Sequence, residues 1–212
     1  MMPSSNPLTL NHSNAIENTA PSKSIDSIIL IGLIAVGLFF ASMNSIWSFM
    51  ERVGDAEGFK AEFITFALSI SLIFSFFGAL VPALIAGIFK RITVIASGYI
   101  MLLIAIFLLG QHPTENVYLI ALCGYNFFYS FAIPFQNGWL ASLDRNGRTI
   151  VLLPVVQGIG IAIGPVLAGL VIFGKQYTYV IYISIALLLC SFFLFLLMNR
   201  QVECDSKLVR HE

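Results

Sequence analysis

Six long stretches of this chain contain no Asp, Glu, Lys or Arg: Ser27–Met50, Phe63–Phe89, Ile92–Thr114, Asn116–Leu143, Thr149–Gly174 and Gln176–Asn199. Every formal charge falls in the short gaps between them or in the two tails. Each stretch is roughly 23–28 residues long, and a helix needs about 20 to cross the hydrocarbon core of a bilayer. A bare charge at the centre of such a helix costs on the order of 3 kcal/mol. A soluble core has no reason to exclude charge at so regular a spacing. The pattern therefore predicts an all-α membrane protein with six transmembrane helices. The chain is 58% hydrophobic and 10% charged, which fits that class. The runs are continuously apolar and do not alternate with period 2, so helices are expected rather than a barrel.

Residues 1–26 are polar and rich in Ser, Asn and Pro, the composition of a disordered arm or linker. No basic n-region abuts the first apolar run and no small-residue cleavage site closes it, so a signal peptide is not expected. The membrane domain is predicted over residues 27–200, with a short tail at 201–212. Asn11-His12-Ser13 matches a glycosylation sequon, expected as a chance match on a cytoplasmic arm. The net charge is zero, which gives no footprint for nucleic acid. Cys123, Cys190 and Cys204 form neither a metal-ligand spacing nor a disulfide framework. No metal and no cofactor is expected.

Orientation follows from the cations. One membrane face would carry Lys23, Lys90, Arg91, Arg145, Arg148, Arg200, Lys207 and Arg210; the other would carry Arg52, Lys60 and Lys175. The excess predicts that both termini are cytoplasmic. A multi-pass protein of a bacterial cytoplasmic membrane is the expectation.

The six spans differ in character. The third, with Met101–Leu109, and the sixth, with Ile185–Leu197, are almost uniformly aliphatic and aromatic and are expected to face lipid on most sides. The first, second, fourth and fifth hold the polar residues, the internal prolines and most of the glycines, and are expected to form the interior. In the first span Asn44, Trp47 and Glu51 recur at spacings of 3 and 4, which places them on one helical face. A solvated helix end anchored by Trp47 explains the same residues. The fourth span is the most polar, with Tyr125, Asn126, Tyr129, Ser130, Gln136 and Asn137. Amides in hydrocarbon are costly without partners or water. They mark either a wet, ligand-binding cavity or helix–helix glue. In the fifth span Gly160, Gly164 and Ala168 make a small-residue ridge, and Pro165 is expected to kink the helix. The loop Asp144-Arg145-Asn146-Gly147-Arg148 suits a tight turn at Gly147. Asp144 there can pair with an arginine or cap a helix.

These features together resemble the C-terminal half of a major facilitator superfamily transporter. The second inner loop, Ala86-Gly87-Ile88-Phe89-Lys90-Arg91, is similar to a degraded form of that family's Gly-rich basic loop. The Asp144–Arg148 loop precedes a helix with Gly164-Pro165 and Gly169, as between the family's tenth and eleventh helices. Trp47–Gly54 resembles the end of its seventh. The resemblance covers roughly Ser27 to Gln201. The N-terminal half would carry a full Gly-Asp-Arg-Gly-Arg motif and a fourth-span arginine, and neither occurs here.

The resemblance implies a 3+3 inverted-repeat six-helix half, with the substrate held near the midplane between two halves. It makes Asn44, Trp47, Tyr125, Asn126, Tyr129, Gln136 and Gln157 candidate cavity residues. It gives Lys90, Arg91, Asp144, Arg145, Gly147 and Arg148 a gating role in the inner loops, and makes Gly160, Gly164, Pro165 and Gly169 packing or kink positions. The implied function is alternating-access transport of a small polar or amphipathic solute. The partners would be the lipid bilayer, the solute, and a second six-helix half or a second copy. A non-transporting scaffold or assembly subunit is the alternative. An intramembrane enzyme is disfavoured, because His12, His112 and His211 lie outside the spans and no span holds a carboxylate. The chain has the size of one half, and a fragment of a twelve-helix carrier is the expectation. An antibody against Gln201–Glu212 is expected to detect, in source-cell membranes, a band near twice the mass of this chain. A band at the mass of the chain itself would point to a half-size carrier.

Overall fold

A computed structural model of the chain describes residues 23–85, 87–144, 147–172 and 177–208. Residues 1–22 of the expected arm (1–26) and 209–212 of the expected tail (201–212), together with Ala86, Arg145, Asn146 and Lys175, lie outside the described residues. Among the described residues seven helices follow one another: α1 (Lys23–Trp47), α2 (Met50–Ala56), α3 (Ala61–Ile85), α4 (Arg91–Leu109), α5 (Glu115–Leu143), α6 (Arg148–Leu170) and α7 (Thr178–Leu208). Residues 23–26 and 201–208, expected outside the spans, are helical and continue α1 and α7. Among the described residues there is no strand. Helices α1 and α2 together make the first span, and α3 to α7 supply the other five. All six are long and apolar enough to cross a membrane, and the chain is a multi-pass integral membrane protein.

The first span is interrupted where a continuous helix is expected. Asn44 Nδ2 donates to the Phe40 carbonyl, Ser45 Oγ to that of Ala41 and Ser48 Oγ to that of Asn44. Three successive side chains thus compete for carbonyls one turn back, which loosens a helix. The ladder ends at Trp47, Phe49 N–H turns to the Ile46 carbonyl, and α2 restarts at Met50. The spacing that joins Glu51 to Asn44 and Trp47 on one face therefore does not carry across the break, and Glu51 is exposed.

Two helix pairs approach at backbone contact. Gly160 and Gly164 of α6 lie on α1: a Cβ built on either would stand 2.5 Å from the carbonyl oxygen of Gly37 or Ala41. Gly78 of α3 presses on the backbone of Phe127 in α5. Small residues allow such approach, and in a membrane close packing is the principal attraction between helices. Helix α1 also packs on α7, α4 packs on both α5 and α7, and α1 touches α5. Helix α6 runs unbroken through Pro154 and Pro165. Gly147, at φ 71°, takes the left-handed conformation just before α6, and the Asp144 carboxylate accepts the Thr149 N–H in its first turn.

The burial of the spans departs from expectation. Only 17% of the most apolar stretch of α3, and of α6, is buried, against 44% in α4 and 33% in α7. Helices α4 and α7, expected to face lipid on most sides, each carry a buried seam: Tyr99, Leu102, Ile106 and Leu109 on one, Leu188, Ser191, Phe195 and Met198 on the other. Helices α3 and α6 present long apolar faces outward, with Phe66, Phe76, Leu84, Val151, Val166 and Leu170 exposed. Hydropathy cannot separate these cases, since lipid tails are as apolar as leucine. What the exposed helices have instead is a narrow ridge of small residues.

Overpacking of such a seam typically costs about 1–3 kcal/mol. Gly164→Val is expected to lower the temperature at which half the protein stays monodisperse in detergent. Gly124→Ala, where an added Cβ meets nothing within 4 Å, is expected to leave it unchanged.

Candidate functional site

The polar groups at membrane depth collect in two places. The first is a cavity of about 240 Å³ lined by Met43, Asn44, Trp47, Leu72, Ser75, Tyr125, Asn126 and Tyr129. It lies between α1, α3 and α5, and Leu72 and Tyr129 stand near the middles of α3 and α5. Its wall is a ladder of near-parallel rings. Trp47 stacks on Tyr125 at 6.3 Å between ring centroids and 1° between planes, and Tyr125 on Tyr129 at 6.4 Å and 11°. Phe39 continues the ladder behind Tyr129 at 5.9 Å and 17°. The four-residue step from Tyr125 to Tyr129 puts both rings on one face of α5. Tyr125 is locked there by its hydroxyl, which donates to the Met43 carbonyl at 2.5 Å.

Opposite the rings, α3 and α5 are tied by two hydrogen bonds. Asn126 Nδ2 donates to Ser71 Oγ at 3.0 Å, and the hydroxyls of Ser75 and Ser130 meet at 2.6 Å. Asn126 is almost fully buried, whereas Asn44, Trp47, Ser75 and Tyr129 are half-buried and open to the cavity. The lining contains no formal charge. The arrangement offers stacking surfaces, hydroxyls and amides, with no general base and no nucleophile–base pair. Among the described residues no three His, Cys, Asp or Glu side chains gather into a metal-binding group.

Five of the seven residues expected to line a cavity are brought together here: Asn44, Trp47, Tyr125, Asn126 and Tyr129. Gln136 and Gln157 are not. Gln157 Nε2 donates to Asn137 Oδ1 at 2.9 Å, joining α6 to α5 away from the cavity lining. Gln136 belongs to the second polar cluster, inside the helix core. It donates to the Tyr99 hydroxyl at 3.3 Å, that hydroxyl donates to Ser191 Oγ at 2.8 Å, and Ser191 donates to the Ala35 carbonyl at 2.6 Å. Four helices are thereby linked, and Gln136 Oε1 is left without a protein partner.

Sequence reasoning placed the second span in the interior but named none of its lining residues, so Leu72 and Ser75 of α3 were missed, as was Met43 of α1. Ser71, Ser75 and Gly78 at steps of four and three are the signal that could have found the lining face of α3. Of the inner-loop residues, Arg91 Nη1 donates to Ser142 Oγ, Lys90 and Arg148 are exposed, and Arg145 lies outside the described residues.

An unpaired buried acceptor costs about 1–3 kcal/mol. Gln136→Met is therefore expected to keep or raise stability in detergent unfolding. Tyr99→Phe, which cuts two hydrogen bonds, is expected to lower it by about 1–2 kcal/mol. No family model, no curated protein and no solved structure matches the chain, so its own residues carry the functional reading.

Proposed function

We propose that this chain is a six-span half of a secondary transporter of the major facilitator superfamily. It moves a small polar or amphipathic solute across the bilayer by alternating access. The observation that carries the reading is the cavity at mid-depth, walled by the Trp47–Tyr125–Tyr129 ladder and by the half-buried Asn44 and Ser75. Polar side chains left half-open in hydrocarbon are costly unless water or a ligand meets them. A solute with a flat apolar face and hydrogen-bonding edges satisfies both the rings and the amides.

The helix contacts support an inverted repeat. The first span packs on the fifth and sixth, the fourth packs on the second and third, the third meets the sixth, and the first meets the fourth. Exchanging spans one to three for spans four to six leaves those pairs unchanged, while the lighter contact of the fifth span with the sixth has no equal between the second and the third. Two such triplets, related by an axis in the membrane plane, are how many transporter folds are built. In this reading both termini lie on the cytoplasmic side of a bacterial cytoplasmic membrane, and the outward faces of α3 and α6 flank a cavity completed by a second six-span half or a second copy.

The test uses the chain joined to a cognate half and a panel of neutral hexoses and uncharged aromatic compounds. For a compound that is taken up, Asn44→Ala and Tyr129→Ala are each expected to reduce uptake about tenfold at equal protein level, the equivalent of one lost hydrogen bond or stacking contact. Gly124→Ala, which adds a methyl where nothing lies within 4 Å, is expected to leave it unchanged. Uptake and binding unaltered in both cavity variants would remove the assignment.

A further inference from the structure

The membrane face that carries Lys90, Arg91 and Arg148 has a second concavity, separate from the solute cavity. A groove of about 450 Å³ opens where the end of α3, the turn before α4 and the last third of α5 meet. Its walls are apolar, with Pro82, Phe89, Pro134 and Trp139 among them, and Gly138 leaves room between the helices. Arg91 is the one charged residue in the lining. Its guanidinium donates to Ser142 Oγ at 2.5 Å, and that hydroxyl donates to the Trp139 carbonyl at 2.7 Å. The two bonds hold a cation at the rim of an apolar trough.

A guanidinium has five N–H donors, and Ser142 takes one of them. Among the described residues no carboxylate lies within ion-pairing distance of Arg91. Its remaining donors present a fork that fits a phosphate. Depth agrees with this chemistry: Arg91 opens α4, and Trp139 lies one turn from the end of α5. That is the headgroup level, where Arg and Trp side chains settle. The trough continues into surface that faces the acyl chains, for Phe89 is 59% and its neighbour Ile88 67% exposed.

We infer that this groove binds an anionic phospholipid, with the phosphate on Arg91 and the upper part of one acyl chain along Pro82, Pro134 and Trp139. Charge complementarity selects the headgroup. A zwitterionic lipid would bring a second cation beside Arg91, and the lining offers it no acid. The apolar walls select a lipid over a free phosphate, which would leave them unfilled.

The chain has two tryptophans, Trp47 and Trp139, so Trp47→Phe leaves Trp139 as the single reporter. The full chain is placed in phosphatidylcholine bilayers containing a fraction of brominated phosphatidylglycerol or brominated phosphatidylcholine. Trp139 is expected to be quenched at about a fivefold lower fraction of the anionic lipid, the preference that one cation near the surface confers. Arg91→Gln is expected to bring the two lipids level. Trp47→Phe removes a ring from the ladder, so the same comparison is made in the two-tryptophan chain with and without Arg91→Gln. Equal quenching by both lipids overturns the proposal, as does a preference that survives Arg91→Gln. A preference abolished by inorganic phosphate at constant ionic strength assigns the site to free phosphate instead. Quenching by neither lipid means that protein covers the groove, and also overturns it.

Discussion

Backbone contact at two glycine seams sets the geometry on which everything else in this bundle depends. Gly160 and Gly164 bring α6 onto α1, and Gly78 brings α3 onto α5. Inside a bilayer there is no gain from moving leucine out of lipid and onto leucine, so tight packing must supply the attraction. With these two pairs held at contact, α1 and α5 meet across the middle and leave the space that Trp47, Tyr125 and Tyr129 line. The cavity is thus what remains between two tightly joined pairs, and its width is set by residues that do not touch it.

The polar groups divide by the company they keep. Ser42 and Ser191 donate to carbonyls across the seam and hold α7 against α1, while Ser184 donates to the Val180 carbonyl of its own helix. Asn44 and Ser75 also hold protein partners, the Phe40 carbonyl and the Ser130 hydroxyl, yet they and Tyr129 stay half-open at the cavity with acceptor capacity to spare. Buried polar groups with all partners in place stiffen a core, whereas those with capacity to spare mark where a ligand or water belongs.

The number and order of the spans were legible because charge exclusion is a strong signal over about 20 residues. Their ends were less so, since α3 stops at Ile85, α4 at Leu109, and α7 runs on to Leu208. Five cavity residues were legible for a related reason: aromatic and amide side chains stand out in an apolar helix. The lipid-facing sides were not. Leucine is written identically whether it meets a lipid tail or α5, so the apolar third and sixth spans looked outermost although each carries a buried seam. Gln136 was misplaced because a polar residue in a span signals only that it needs a partner. Tyr99, its partner, lies in a segment read as uniformly apolar. The break at Ser48–Phe49 was also out of reach, since it depends on where three side chains on one turn send their hydrogen bonds.

The hydroxyl contacts of α7 have a consequence for how the chain is made. Ser42 donates to the Ser184 carbonyl, and Tyr99 donates to Ser191. Both partners are on α7, which follows the first and third spans in chain order. Synthesis delivers the N-terminal segments first, so these hydroxyls of the first and third spans enter the bilayer before their partners on α7. Assembly is therefore a two-stage process. The glycine seam of α3 and α5 can close once α5 has entered, and that of α1 and α6 once α6 has. The hydrogen bonds that join α1 and α4 to α7 wait for that helix, which enters the folding bundle as its clasp.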